Sequence, residues 1–199
     1  MLVLISPAHA AVLTINFAGN LTQVPLDEAL GDLNAGDPFQ GSFSFDTSAA
    51  DLIPSDPAIG GFTWHAPLGM TVTIGPHVFT ALGSLNIGIL NGLVDQYTVF
   101  ATDSSGAITL ELFLQDNSGG VFSGDGLPSG PPLLAGFQQK DFHLLAEFAA
   151  GEVQADGQLT TLASADVPEP GTAGLFLAGL SALFTTARHR RSAHSAHSR

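Results

Sequence analysis

The sequence predicts an all-β domain, a β-sandwich of roughly nine short, mainly antiparallel strands, followed by a single C-terminal transmembrane helix. Three observations carry this. Across residues 11–162 apolar and polar side chains alternate in short runs, the period of a half-buried strand rather than of a helix. Gly, Asn, Asp and Pro punctuate those runs, and no helical period extends over three turns. Beyond the runs, one uncharged stretch at 171–187 stands apart from the rest of the chain.

In chain order, strands are expected at 12–20, 39–45, 70–74, 77–81, 84–90, 96–101, 107–115, 141–148 and 157–162. The clearest is 107–115, where Ile108, Leu110, Leu112 and Leu114 alternate with Thr109, Glu111 and Phe113. That gives one face to the core and one to the outside, and a one-residue slip would exchange them. Hairpins are expected at Gly75-Pro76, at Asp103-Ser104-Ser105-Gly106 and at Asp116-Asn117-Ser118-Gly119-Gly120, whose residues tolerate left-handed backbone or cap turns. Residues 46–61 and 124–132 hold too much Pro and Gly for strands and read as long surface loops, where functional contacts concentrate.

Charge is sparse, at 12% of residues, and unevenly placed. Four of the five basic residues, Arg188, Arg190, Arg191 and Arg199, lie at the C-terminus, whereas seventeen of the eighteen Asp and Glu precede Val167 against Lys140 alone. Such a domain repels phosphate backbones, which excludes nucleic acid as a partner. Cysteine is absent, so neither a disulfide framework nor a thiol nucleophile exists, and export carries no risk of mispairing.

The two ends read as addresses. Met1-Leu2-Val3-Leu4-Ile5-Ser6-Pro7 precedes Ala8-His9-Ala10, the small-residue form of a signal peptidase site, and cleavage after Ala10 is expected. The apolar run is shorter than a full signal core, so residues 1–10 read as the remnant of a signal peptide whose true start lies upstream. After the domain at 11–162, a linker at 163–172 carries Val167-Pro168-Glu169-Pro170-Gly171-Thr172. Its prolines fix φ and remove donors, leaving Glu169 in an extended peptide that an enzyme can read. A helix over 173–187, with the uncharged residues just before it, rises about 25 Å, the short end of a membrane span. The basic tail 188–199 stops transfer and stays cytoplasmic through Arg188, Arg190 and Arg191. Its His189, His194 and His197 are irregularly spaced and read as solvated rather than as metal ligands.

This arrangement closely resembles the PEP-CTERM sorting signal of Gram-negative bacteria. The resemblance implies that Val167, Pro168, Glu169, Pro170 and Thr172 form the recognition motif for an exosortase. It also implies that 173–187 is the membrane segment during passage through the inner membrane, and that Arg188, Arg190 and Arg191 are the basic stop. The Ser- and His-rich extension 192–199 departs from the pattern, in which signals end soon after the Arg cluster. Segments such as 39–48 and 125–128 resemble, more loosely, small proteins carrying this signal, a likeness that brings no activity with it.

Within the domain, His65, His77 and His143 show no metal-ligand spacing, and Ser123 lacks the G-x-S-x-G form of a nucleophile elbow. Asp51 with Asp56, or Asp103 with Asp116, are carboxylate pairs of the kind a glycan hydrolase needs. Asp116-Asn117-Ser118 offers oxygens of the type calcium takes, without any calcium-loop signature. Trp64 and Tyr97, the only Trp and Tyr, are candidates for stacking on a sugar face. The reading that follows is an exported, non-catalytic structural or adhesive protein. It starts as a membrane-anchored precursor, is processed by an exosortase and ends at the cell surface or in the extracellular matrix, with no catalytic residue and no cofactor. The alternatives are a carbohydrate-binding module of the exopolysaccharide matrix and a glycan hydrolase.

Overall fold

In the computed structural model the described residues are 12–24, 30–148 and 151–165. They form ten strands: β1 Val12–Gln23, β2 Pro38–Asp46, β3 Ile59–His65, β4 Gly69–Ile74, β5 His77–Ala81, β6 Ser84–Leu90, β7 Asp95–Thr102, β8 Ile108–Asp116, β9 Gln139–Phe148 and β10 Gly151–Ser164. All neighbours pair antiparallel in one sheet of order β3-β6-β7-β8-β9-β10-β1-β2-β4-β5. Among the described residues there is no α-helix, only a 3-10 turn such as Leu134–Gly136 between β8 and β9.

The expected all-β class holds, but the layers come from one sheet that curls on itself rather than from two separate sheets. Phe45 of β2 and Trp64 of β3 stand eight strands and one strand along that order, yet their rings are 5.5 Å apart. β5 packs on β8, and β4 on β6 and β7, so the two ends of the sheet face each other across one core. The bend is built into β10. Its first part, Gly151 to Gln158, pairs with β9, and its second part, Asp156 to Ser164, pairs with β1 through two register shifts. Such irregularities raise twist and let one long strand serve both layers.

Inward positions recur at period two in every strand, as in Leu85, Ile87 and Ile89 of β6 or Leu110, Leu112 and Leu114 of β8. Three phenylalanines in the core each sit opposite a glycine on the neighbouring strand: Phe17 with Gly41, Phe39 with Gly19, and Phe142 with Gly157. The glycines make room for the rings. A Cβ on Gly157 would lie 2.5 Å from Cε1 of Phe39, and one on Gly19 would lie 2.5 Å from its Cζ. Phe39 and Phe142 then stack at 4.4 Å with Phe17 beside both.

Three expectations need correction. A tenth strand, β3, occupies part of the segment read as a loop, because Gly60, Phe62 and Trp64 supply an inward period among Pro- and Gly-rich neighbours. β10 runs over Gly151–Ser164 rather than over 157–162 alone. The hairpins at Gly75-Pro76 and Asp103 to Gly106 form. Asp116 to Gly120 does not close a tight hairpin: β8 and β9 pair, but the chain between them makes a long excursion from Asn117 to Gln138. The expected transmembrane helix and the expected signal-peptide remnant fall outside the described residues.

Candidate functional site

At the end of the sheet where β7 starts and β8 stops, Asp95 and Asp116 face each other in register and are both buried. Burial of two carboxylates is tolerated where backbone donors surround them. Asp95 Oδ1 accepts from the N–H of Gly92 at 3.1 Å, and Oδ2 accepts from Val121 at 2.7 Å and Phe122 at 2.8 Å. Asp116 accepts from the N–H of Ser118 at 3.0 Å and Gly120 at 2.9 Å and, on both oxygens, from the Ser118 hydroxyl at 2.8 Å. The Gly120 N–H, with the Ser118 N–H and hydroxyl, holds the Asp116 carboxyl well below its usual range. Asn91 continues the clamp: oriented to donate to the Phe122 carbonyl, its amide also accepts from Gly124 N–H, each at 3.1 Å. The β8–β9 loop is thus tied down by Asp116, which the sequence suggests as a catalytic or calcium-binding group, and by Asp95, which it does not single out.

The carboxylates singled out in the sequence serve turns. Asp51 Oδ1 accepts from Gly61 N–H at 2.9 Å and Ile53 N–H at 3.0 Å, closing the segment before β3 against its edge. Asp56 accepts from Ala58 N–H at 3.0 Å. Asp103 closes the β7–β8 turn through Ile108 N–H at 2.9 Å, at the opposite end of that hairpin from Asp116, so this pair is not brought together. Asp46 accepts from the Ser48 N–H and hydroxyl, each at 2.8 Å. Among the described residues no cluster of three metal-ligating side chains occurs. His77 pairs with Asp32 at 2.8 Å and His143 with Asp156 at 2.7 Å.

These turns make a pH prediction. The carboxyls of Asp32, Asp46, Asp51, Asp103 and Asp116 all lie below their usual 3.8, the first by its bond to His77 and the others chiefly by N–H or hydroxyl donors. A depressed folded value adds stability that is present above the unfolded value and lost as pH falls through the folded one. Melting temperature should therefore fall steeply below about pH 4. Thermal scans in citrate and phosphate test this, and a melting point constant down to about pH 2 contradicts it.

The two aromatic candidates belong to the core. Trp64 is 7% exposed, and its Nε1 donates to the Asp46 carbonyl at 3.2 Å. Tyr97 is wholly buried beside Phe122, its hydroxyl has no partner, and burial pushes its phenol up. Neither presents a stacking face. A concavity on the outer face lies elsewhere, over β10, β1, β2 and β4. It measures about 480 Å³ and carries Asn16, Gln40, Ser42, Thr71, Thr73 and Thr161, with no charged residue. The residues sit in cross-strand rows, Asn16 beside Ser42 beside Thr71, and Ala18 beside Gln40 beside Thr73. Sequence reasoning passed over this groove because it searched for aromatic and charged groups, whereas its signal is the uncharged polar half of each alternation.

The described residues therefore form an all-β domain that ends at Ala165, directly before the segment that reads as a sorting address. Residues 166–191 match the family model of the PEP-CTERM protein-sorting motif, so the chain carries that motif. It contains Val167, Pro168, Glu169, Pro170, Thr172, Arg188, Arg190 and Arg191. These residues, like Ala8 and Ala10, lie outside the described residues. The motif implies an exported precursor that is anchored in the membrane and processed by an exosortase on its way to the cell surface. No curated protein and no solved structure matches the chain.

Proposed function

We propose that the β domain is a non-catalytic structural or adhesive component of the cell surface or extracellular matrix, delivered there as the cargo of its sorting signal. The observation that carries this reading is the motif at 166–191. The domain's chemistry supports it: the carboxylates singled out in the sequence are spent on turns and on the loop clamp, and Trp64 and Tyr97 on the core. The reading needs no catalytic residue and no cofactor. It is tested by comparing matrix cohesion and surface attachment of cells lacking the chain with cells in which the full chain is restored. Loss in the first and recovery in the second are expected, and equal behaviour contradicts the reading.

A second reading, binding of a neutral exopolysaccharide, is favoured by the uncharged groove over β10, β1, β2 and β4. Closely spaced amide and hydroxyl groups suit the hydroxyls of a sugar chain. Affinity electrophoresis of the full chain in gels cast with the isolated polysaccharide should show retardation that Gln40→Ala with Thr73→Ala abolishes. Unretarded wild type contradicts it.

A further inference from the structure

Among the described residues the two most exposed large apolar side chains, Leu93 at 93% and Leu133 at 82%, belong to the end of the domain that the carboxylate clamp organises. Leu133 lies on the β8–β9 loop, and Leu93 on the turn before β7. The two segments touch where Gly119 packs on the Leu93 backbone so closely that a Cβ there would lie 3.1 Å from the Leu93 carbonyl carbon. Leu133 borders a groove of about 800 Å³ lined by Val121, Phe122, Pro128, Pro131 and Gly136 among others.

The β8–β9 loop itself is also nearly free of charge in a strongly acidic chain. From Asn117 to Gln138 the only ionisable residue is Asp125. Asp95 and Asp116, the carboxylates nearest the loop base, are turned inward onto backbone N–H groups. An exposed apolar surface from which charge has been withdrawn marks an interaction site. Its place names the partner. The loop lies against the end of β10, where a Cβ on Gly130 would stand 4.0 Å from Ser164 Oγ, and the described chain ends one residue later. Only residues 166–172 separate that point from the apolar segment 173–187, a tether of about 25 Å when fully extended.

We propose that the β8–β9 loop and the adjoining β6–β7 turn, which expose Leu133 and Leu93, dock on the lipid surface while the precursor is anchored. This rests on the reading of 173–187 as the membrane span. Leucines that enter the headgroup boundary from a loop with a single carboxylate need no basic residues to bind a zwitterionic bilayer.

The absence of cysteine allows single labels in the full chain. Leu133→Cys, Leu93→Cys and, as reference, the exposed edge-strand position Val78→Cys are each labelled with an environment-sensitive fluorophore and reconstituted in phosphatidylcholine vesicles containing doxyl-labelled phosphatidylcholine. Labels at 93 and 133 should show blue-shifted emission and at least about twofold stronger quenching than the label at 78. A label at Ala135→Cys should lose its quenching when Leu93→Ser and Leu133→Ser are combined. If the chain floats with the vesicles but all labels behave as at 78, docking is wrong while the anchor stands. If the chain does not float, the anchor reading fails and docking fails with it. Labels shielded in proportion to protein rather than lipid identify a second copy on this surface and also overturn the proposal.

Discussion

Phe142→Ala should destabilise the domain by about 3–5 kcal/mol, read as a lower urea midpoint of the full chain in detergent. Phe142 is fully buried, stacks on Phe39 at 4.4 Å and lies 6.3 Å from Phe17. The cost belongs at the high end because the ring's cross-strand partner is Gly157, and no side chain stands there to fill the space. Relaxation would need Phe39 to leave the backbone of Gly19 and Gly157, against which its ring already packs closely. Phe113→Ala on the outer face of β8 is the control. Phe113 is partly exposed, and its loss should cost about 1 kcal/mol. Equal losses at both positions would show that the ring stack is not a special feature of the core.

Asp95→Ala should cost about 3 kcal/mol or more, and it should release the loop rather than unfold the sheet first. Three backbone N–H groups, of Gly92, Val121 and Phe122, lose their acceptor together, and each unpaired buried donor costs about 1–3 kcal/mol. Water reaching the loop base offsets part of this. Asp95→Asn keeps one acceptor oxygen but presents an NH2 group to the remaining donors, so it should fall between wild type and Asp95→Ala. Limited proteolysis reads the local effect: cleavage between Asn117 and Gln138 should accelerate in Asp95→Ala before global unfolding does. Cleavage unchanged there, with a melting point within about 2 °C of wild type, would show that Asp95 does not hold the loop.

Much of this was readable from residue pattern. The alternation in Ala107 to Gln115 fixed the faces of β8, and the turn chemistry of Gly75-Pro76 and Asp103 to Gly106 fixed two hairpins, because these signals are local. β3 escaped notice because its inward positions begin with Gly60 and its flanks hold Pro54 and Pro57. Read at period two, Gly60, Phe62 and Trp64 form one face, and that alternation points Trp64 into the core. The Asp95–Asp116 pair was also within reach. Counting back from Thr102 opposite Thr109 along the hairpin places Asp95 opposite Asp116. The long β8–β9 excursion hid its meaning, since Asp116-Asn117-Ser118 looks like a tight turn whether or not the chain turns back at once. The curl of the single sheet was out of reach: it depends on β1 pairing with β10, a contact between the two ends of the domain that no local pattern announces.

The sorting segment was the opposite case. Its information is carried in linear order, by a Pro-Glu-Pro box, an apolar run and an Arg cluster, and so it needs no tertiary structure to be recognised. The measurement that tests it most directly is the intact mass of the mature protein from surface and secreted fractions, for the natural chain and for Glu169→Ala. The account predicts that the natural protein loses everything after roughly Pro170 while the variant remains full length in the membrane. A mature natural protein that still carries residues 173–199 would contradict it.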